Sequence, residues 1–418
     1  MERPEFITQI EGHGSLHFNW QKNKVWLEVT EGERLFEGMV VGRPAAELYW
    51  ITSRICGVCP IAHNLAAIKA VEDALNIKIS KSTVLLRKLL LDAQMIQSHS
   101  LHLYFLAAPD YLGLDSGLEI IKTHPVYFQQ ALELKRVSDL IADSIGGRGI
   151  HPTATAAGGF HKVPSLEKLK KLKAETEKML EPAEGCVHLF SSLNYPEVKA
   201  DLTLFSQVNG RNYEVYDINS IASNKKLRAK PADFEKIINE EIRPYSTAKF
   251  GYHKGRGMMV GSLARLALQG NLLKGKAKGF FKAADIDFQN PYHNNLAQAI
   301  ENYHFVQEAN EILAELIENA IDPGATELPT KLGVGKNLVG VGALEAPRGS
   351  LYYKVSLDSQ GLISSCNIIT PTVQNLSSLE ETAQAVLDQM KGQPKEKIQE
   401  RLEMLVRAYD PCITCSVH

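Results

Sequence analysis

Arg54-Ile-Cys-Gly-Val-Cys-Pro-Ile-Ala-His63 and, at the far end of a 418-residue chain, Asp410-Pro-Cys-Ile-Thr-Cys-Ser-Val-His418 each carry a C-x-x-C pair. Two such pairs read as a four-thiolate metal site, and thiolates are soft ligands that select zinc, copper(I), iron–sulfur or nickel over hard cations. Their separation decides the fold. A zinc ribbon closes over roughly a few tens of residues, whereas here nearly the whole chain must fold before Cys56 and Cys59 meet Cys412 and Cys415. The expectation is a metal site buried at the centre of a single domain, residues 1–418, on which both terminal segments converge. Pro60 suits the first turn of a helix, which places His63 about one turn in, where it can hydrogen-bond to a metal ligand.

Outward from these anchors, apolar residues alternate between Ser15 and Val29 around the polar turn Gln21–Lys24, the period-two pattern of a β-hairpin. Apolar spacing turns helical from about Pro60 to Leu75. Thr83–Leu106 is apolar on most faces, as expected of a helix in the middle of a bundle, with Pro109 as its stop. Further helices are expected at about Pro125–Ile145, at Ser165–Leu180 with Ser165 as N-cap, and at Asn294–Ala320. Leu351–Ile369 reads as a second hairpin turning at Asp358–Gly361, followed by helices over roughly Leu379–Met390 and Lys395–Ala408. The fold class is mainly α with small β elements (α+β), a central bundle of long helices with N-terminal and C-terminal β-hairpins. The glycine-rich Leu332–Gly342 lacks the G-x-x-x-x-G-K-[ST] spacing of a phosphate loop, because Asn337 follows Lys336, and reads as a backbone turn. Gly146–Pro152 with Gly158-Gly159 reads as a tight buried turn.

Composition narrows the partners. The chain is 44% apolar, and 46 basic side chains against 48 acidic ones leave a net charge of −2. With no global basic field, nucleic acid is not an expected partner. No uninterrupted apolar run reaches the roughly 18 residues of a membrane span, and Met1-Glu-Arg-Pro-Glu-Phe lacks the layout of a secretory signal. Export carried by a partner subunit stays open. Cys186 and Cys366 stand alone, and six cysteines in so long a chain do not make a disulfide scaffold.

R-x-C-G-x-C-P-x-x-H early and D-P-C-x-x-C-x-x-H at the end together resemble the large, catalytic subunit of nickel–iron hydrogenases. Ile10-Glu-Gly-His13, the Gly146–Gly159 stretch with His151-Pro152, Glu345-Ala-Pro-Arg-Gly349, and Ile369-Thr-Pro-Thr372 running on to Asn375 agree with that family across most of the length. The absent signal and relatively short chain look most like the cytoplasmic branch, which passes electrons to soluble acceptors. The resemblance implies reversible, heterolytic cleavage of H2 at a nickel held by all four thiolates. Cys56 and Cys412 would be terminal ligands, while Cys59 and Cys415 would bridge to an iron carrying carbon monoxide and cyanide.

Further roles follow from the same resemblance. Glu11 matches the proton-gate glutamate that takes a proton from the Cys412 sulfur. Arg348 matches the arginine over the open metal position, with Asp410 orienting it. His63, Pro371 and Thr372 would surround the cofactor, Thr372 and neighbouring backbone donating to a cyanide nitrogen. Glu37, the Ile368 carbonyl and His418 match a magnesium site, and a chain ending at His418 looks like the mature, processed form. Gln9, Leu35 and Ser98 depart from the arginine, glycine and aspartate common at their positions. His99, His102 and His253 read as core or surface histidines rather than ligands.

Electron arithmetic demands a partner. Oxidising H2 releases two electrons, and once four cysteines hold nickel only Cys186 and Cys366 remain, too few for a cubane cluster. An iron–sulfur small subunit must therefore dock, and cytoplasmic members often add flavin-containing subunits that reduce NAD(P) or a deazaflavin. Two alternatives remain at this level: a hydrogen-sensing relative with the same metal site, and a structural four-cysteine zinc protein.

Overall fold

The computed structural model describes residues 5–319, 321–326 and 338–418. Numbering only helices of eight residues or more, the chain forms α1 (Pro60–Leu75), α2 (Lys81–Leu101), α3 (Pro125–Gly146), α4 (Leu166–Glu177), α5 (Leu180–Ser191), α6 (Ser262–Gln269), α7 (Gly275–Ala283), α8 (Asn294–Asn319), α9 (Pro371–Gln389) and α10 (Lys395–Ala408). The mainly α character with small antiparallel sheets agrees with the sequence expectation. α2 lies between α3 and α8, and α4 and α5 close the other side of α8. One apolar core runs from Ile7 to Val417 and includes all four cysteines of the two pairs.

α2 starts where Ser80 Oγ accepts the Thr83 N–H at 3.1 Å, a side-chain N-cap. It does not stop at Pro109. The chain passes through a π-helical stretch, His102–Ala107, into a short helix, Ala108–Leu112, that ends at Gly113 with φ +67°. The wider turn resets the hydrogen-bond register, so Pro109 falls in a first helical turn where its missing N–H needs no acceptor. The helix expected over Ser165–Leu180 is α4, capped by Ser165, and a further helix not read from the sequence, α5, begins at Leu180. The helix expected from Leu379 begins eight residues earlier at Pro371, because Pro371 occupies its first turn.

The N-terminal hairpin, Gly14–Asn19 with Lys24–Val29, gains a third strand at Glu5–Phe6. The C-terminal hairpin likewise grows into a three-stranded antiparallel sheet of Leu338–Ala346, Gly349–Leu357 and Ile363–Ile369. Its first strand corrects the backbone turn read over Leu332–Gly342. Residues 332–337 lie outside the described residues, and 338–342 are strand. The glycines serve close packing: a Cβ on Gly342 would sit 1.9 Å from Ala66 O, and one on Gly340 2.1 Å from Ala70 O. The strand thus rests directly on the backbone of α1. The Gly146–Pro152 turn is also only partly buried, since Gly147, Arg148 and Ile150 face solvent. Small sheets at 205–229 and 239–257 had no signal strong enough to be read.

Because α1 carries Cys59 at its N-terminal border, its seat on the sheet sets the position of the first cysteine pair. Gly342→Ala is expected to cost about 1–3 kcal/mol or more through overpacking. Thermal unfolding checks this, and an unchanged midpoint would show that strand and helix do not touch.

Candidate metal centre

The two cysteine pairs meet. Cys56 Sγ lies 3.3 Å from Cys412 Sγ, Cys59 Sγ 3.0 Å from Cys415 Sγ, and Cys412 Sγ 2.9 Å from Cys415 Sγ. All four sulfurs fall within 4.8 Å of one another, and all four residues are buried. Cys56 is extended, and the N–H groups of Val58 and Cys59 point at its sulfur from 3.2 and 3.4 Å. The second pair follows α10 through Asp410, which adopts φ +48° before Pro411. A single parallel bridge then aligns Cys412 with Glu11, the Ile413 N–H donates to Glu11 O at 3.1 Å, and the Cys412 N–H donates to Thr372 Oγ1 at 2.9 Å. Gly12 is needed at that crossing, since a Cβ would stand 2.6 Å from Ile413 Cβ. Arg34 joins the two cysteine segments by donating from one nitrogen to Ile55 O and to Thr414 O. No sequence motif pointed to Arg34.

Four thiols so close cannot ionise independently. Hydrogen bonds from the other cysteines, Cys412 first, hold the Cys56 thiol well below its usual value, and the Arg348 guanidinium adds to this. Burial pushes Cys412 and Cys415 well above theirs. A cation seated among the sulfurs removes this conflict, as metal binding to thiolates requires. Four buried soft donors fit nickel and a thiolate-bridged iron, and they leave Cys186 and Cys366 outside the group.

A small pocket adjoins the sulfurs of Cys59, Cys412 and Cys415 and is walled by Arg348, Leu351, Pro371 and Thr372. His63 stands beside it. Its Nε2 is 3.6 Å from Cys415 Sγ and its Nδ1 2.7 Å from the Tyr353 hydroxyl. Burial lowers the His63 pKa to about 3, so the ring is neutral, with one nitrogen against the Tyr353 hydroxyl and the other against the Cys415 sulfur. Tyr353 is a site residue that the sequence did not mark.

Arg348 is aimed by three groups. It donates to Asp410 O at 3.0 Å, to Asp410 Oδ1 at 2.9 Å and to Ser98 Oγ at 3.1 Å. Asp410 Oδ2 in turn accepts from Gln298 at 3.0 Å, and His102 fixes Gln298 at 2.5 Å. Behind it, the fully buried Arg265 holds both oxygens of Glu301 at 2.6 and 2.7 Å, Glu345 at 3.0 Å and the carbonyls of Ala346 and Pro347 at 3.0 Å each. His99 Nε2 lies 3.0 Å from Glu301, and His253 faces Ile237 O at 2.9 Å, so these histidines stand apart from the sulfurs as expected.

Glu11 is half-buried and takes the Thr414 N–H on one oxygen at 3.0 Å and the Thr414 hydroxyl on the other. Glu37, Ile368 and His418 also converge. The Ile368 N–H donates to Glu37 Oε1 at 2.6 Å, His418 Nε2 is 2.8 Å from Ile368 O, and His418 Nδ1 is 2.7 Å from Cys415 O. Both ring nitrogens therefore face carbonyl oxygens, whereas neutral imidazole carries a single N–H. Glu240 lies near enough to Glu37 and His418 to interact with both, and its buried Oε1 has no hydrogen-bond partner. The departures have local accounts. Leu35 adopts φ +53°, a conformation glycine takes without strain, and Gln9 donates to Asp115 O at 3.1 Å.

Removing Arg265 would leave two buried carboxylates uncompensated. Arg265→Met is expected to destabilise the protein by about 3–5 kcal/mol, measured by denaturant or thermal unfolding; a loss below the resolution of the method would show that the cluster does not anchor the segment before Arg348.

Comparison with known proteins agrees with this geometry. The family model for nickel-dependent hydrogenases matches residues 34–126 and 211–418. The chain is 35% identical over 421 residues to the alpha chain of sulfhydrogenase 1 from Pyrococcus furiosus, covering 99% of this chain and 97% of that one. It is 32% identical to a chain of the F420-non-reducing hydrogenase from Methanothermobacter marburgensis, covering 99% and 94%. The fold matches a crystal structure of an NAD+-reducing [NiFe]-hydrogenase in the H2-reduced state with a TM-score of 0.87 at 24% identity, over 100% of this chain and 99% of that one. Family, relatives and fold thus meet on one conclusion: the chain belongs to the nickel-dependent hydrogenases, as the large subunit that activates H2 at a nickel–iron site.

Proposed function

We propose the following division of labour within the centre. Cys56 and Cys412 are terminal nickel ligands, and Cys59 and Cys415 also bind iron. The carrying observation is the convergence of four buried sulfurs within 4.8 Å. The pocket is lined by Cys59 and Cys415 together with Cys412, and not by Cys56, which supports an iron with its carbon monoxide and cyanide ligands beside the two proposed bridging cysteines. Arg348 and Thr372 would donate to cyanide, Pro371, which has no N–H, packs beside them, and His63 steadies the Cys415 sulfur. When bound, the nickel–iron group supplies the vacant position at which H2 is split, releasing two electrons.

The chain's own residues handle the rest. Cys412 sulfur takes the proton, Glu11 carries it outward, and Asp410 keeps Arg348 aimed by charge and geometry. Glu37, the Ile368 carbonyl and His418 hold magnesium. A cation between them would turn the strained carbonyl contact of His418 Nε2 into a ligand bond while Nδ1–H keeps Cys415 O. Residues 1–418 act as one domain, in keeping with their continuous core.

Electrons leave through an iron–sulfur small subunit, because among the described residues one group of four cysteines can hold a metal and Cys186 and Cys366 lie outside it. Similarity to a hydrogenase named NAD-reducing supports further, flavin-containing subunits that deliver electrons to a nicotinamide, with a deazaflavin as the other acceptor chemistry. Soluble acceptors of this kind support a cytoplasmic complex; no helix among the described residues is long and apolar enough to cross a membrane.

The purified complex is expected to contain nickel and iron in equal amounts and to show infrared bands of bound carbon monoxide and cyanide. A silent spectrum with zinc in their place would overturn the proposal. Cys412→Ser should abolish hydrogen-dependent dye reduction. Glu11→Gln should lower it by about 10²–10⁴-fold, the usual weight of a positioned proton carrier, with both metals retained; full turnover would remove Glu11 from the proton route.

A further inference from the structure

Glu11 and the Cys412 sulfur are neighbours in the fold, yet what stands between them is a third side chain. The Thr414 hydroxyl donates to Glu11 Oε1 and lies 3.9 Å from Cys412 Sγ, within the reach of a sulfur hydrogen bond. The same residue's N–H occupies the other carboxylate oxygen at 3.0 Å. Both oxygens of Glu11 are thus held by one threonine, Oε1 by its hydroxyl and Oε2 by its N–H. Burial falls in the same order. Cys412 is 1% exposed, whereas Thr414 and Glu11 are each half-buried.

We propose that the Thr414 hydroxyl is the relay through which the proton passes from the Cys412 sulfur to Glu11. A hydroxyl has one donor proton and two acceptor lone pairs, so Oγ1 can accept from a thiol while donating to a carboxylate. In the transfer the S–H bond of Cys412 breaks as an O–H bond forms on Oγ1. The original Oγ1–H bond breaks as its proton binds Glu11 Oε1. Thiol and carboxylate become thiolate and carboxylic acid, the hydroxyl is regenerated, and no electron moves. The backbone supports this alignment. The Ile413 N–H is bound to Glu11 O at 3.1 Å, and Arg34 holds Thr414 O from the other side, so neither partner can drift. A side chain without a hydroxyl at 414 would keep the N–H bond to Glu11 and lose the bridge. The inference rests on the hydrogenase reading of Cys412 and Glu11 given above.

The test uses the complete hydrogenase complex with Thr414→Val, Thr414→Ala and Thr414→Ser. Carbon monoxide and cyanide bands come first. Their absence from the unaltered complex would defeat the reading of the metal centre, a failure distinct from that of the relay. With the bands present, Thr414→Val and Thr414→Ala should slow exchange of H2 with solvent deuterium by about a hundredfold, within the range of proton relays. Thr414→Ser should return it to within about threefold. A readout independent of turnover is the carboxyl stretch of protonated Glu11, identified by its loss in Glu11→Gln. It should shift in Thr414→Val and keep its position in Thr414→Ser while the metal-ligand bands stay fixed. Should the apolar variants lose their metals, the unaltered complex decides. A rate that curves with the deuterium fraction of the solvent marks two protons in flight and supports the relay, and a linear one marks direct transfer and overturns it. Exchange within threefold in Thr414→Val, with an unshifted carboxyl band, overturns it as well.

Discussion

Four thiols drawn from positions 356 residues apart lie within 4.8 Å of one another in the protein interior, and ionising them there is unfavourable unless a cation sits among them. Much of the structure serves that requirement. α1 presents the first pair, the segment after α10 presents the second, and Arg34 and the Glu11 crossing lock the two segments together. A site assembled this way exists only in the folded chain, so metal affinity and folding are coupled. The protein interior supplies what a surface site could not: low solvent access, fixed donors and a small pocket beside the sulfurs.

Positive charge near the thiolates is rationed and tightly held. Arg348 is bound through its guanidinium to Asp410 and Ser98, and the backbone just before it, at Ala346 and Pro347, is held by Arg265 of the Arg265–Glu301–Glu345 cluster. Buried ion pairs seldom add net stability, because desolvation offsets their attraction. Their value here is geometric. Each fixes the position of a side chain or of the backbone beside the sulfurs, and Asp410 accepts an unfavourable φ of +48° to reach its place. His63 contributes differently: it is kept neutral by burial, so that it stands against a sulfur without bringing charge.

Legibility varied with the physical range of each signal. Local signals read well. α1 and α10 have the expected bounds, Ser165 caps its helix, and α8 starts at Asn294 as its pattern indicates. Pro109 misled because a π-helical stretch, which has no clear sequence mark, moved the proline into a permitted position. The strand over 338–346 was hidden because Gly340 and Gly342 look like turn residues, and their purpose, contact with the backbone of α1, lies far away in sequence. Thr414, Tyr353 and Arg34 went unmarked for the same reason. Each matters through a partner that is distant along the chain or has no chemical signature of its own.

The chain's residues by themselves determined the soft-donor chemistry, the need for an electron-carrying partner and the helical frame, since these depend on residue type, count and local period. Tertiary structure alone decided which sulfurs face which, that Asp410 aims Arg348, and that Thr414 stands between Glu11 and Cys412. Those relations depend on angstrom-scale distances between segments hundreds of residues apart, and only the packing of helix against sheet sets them.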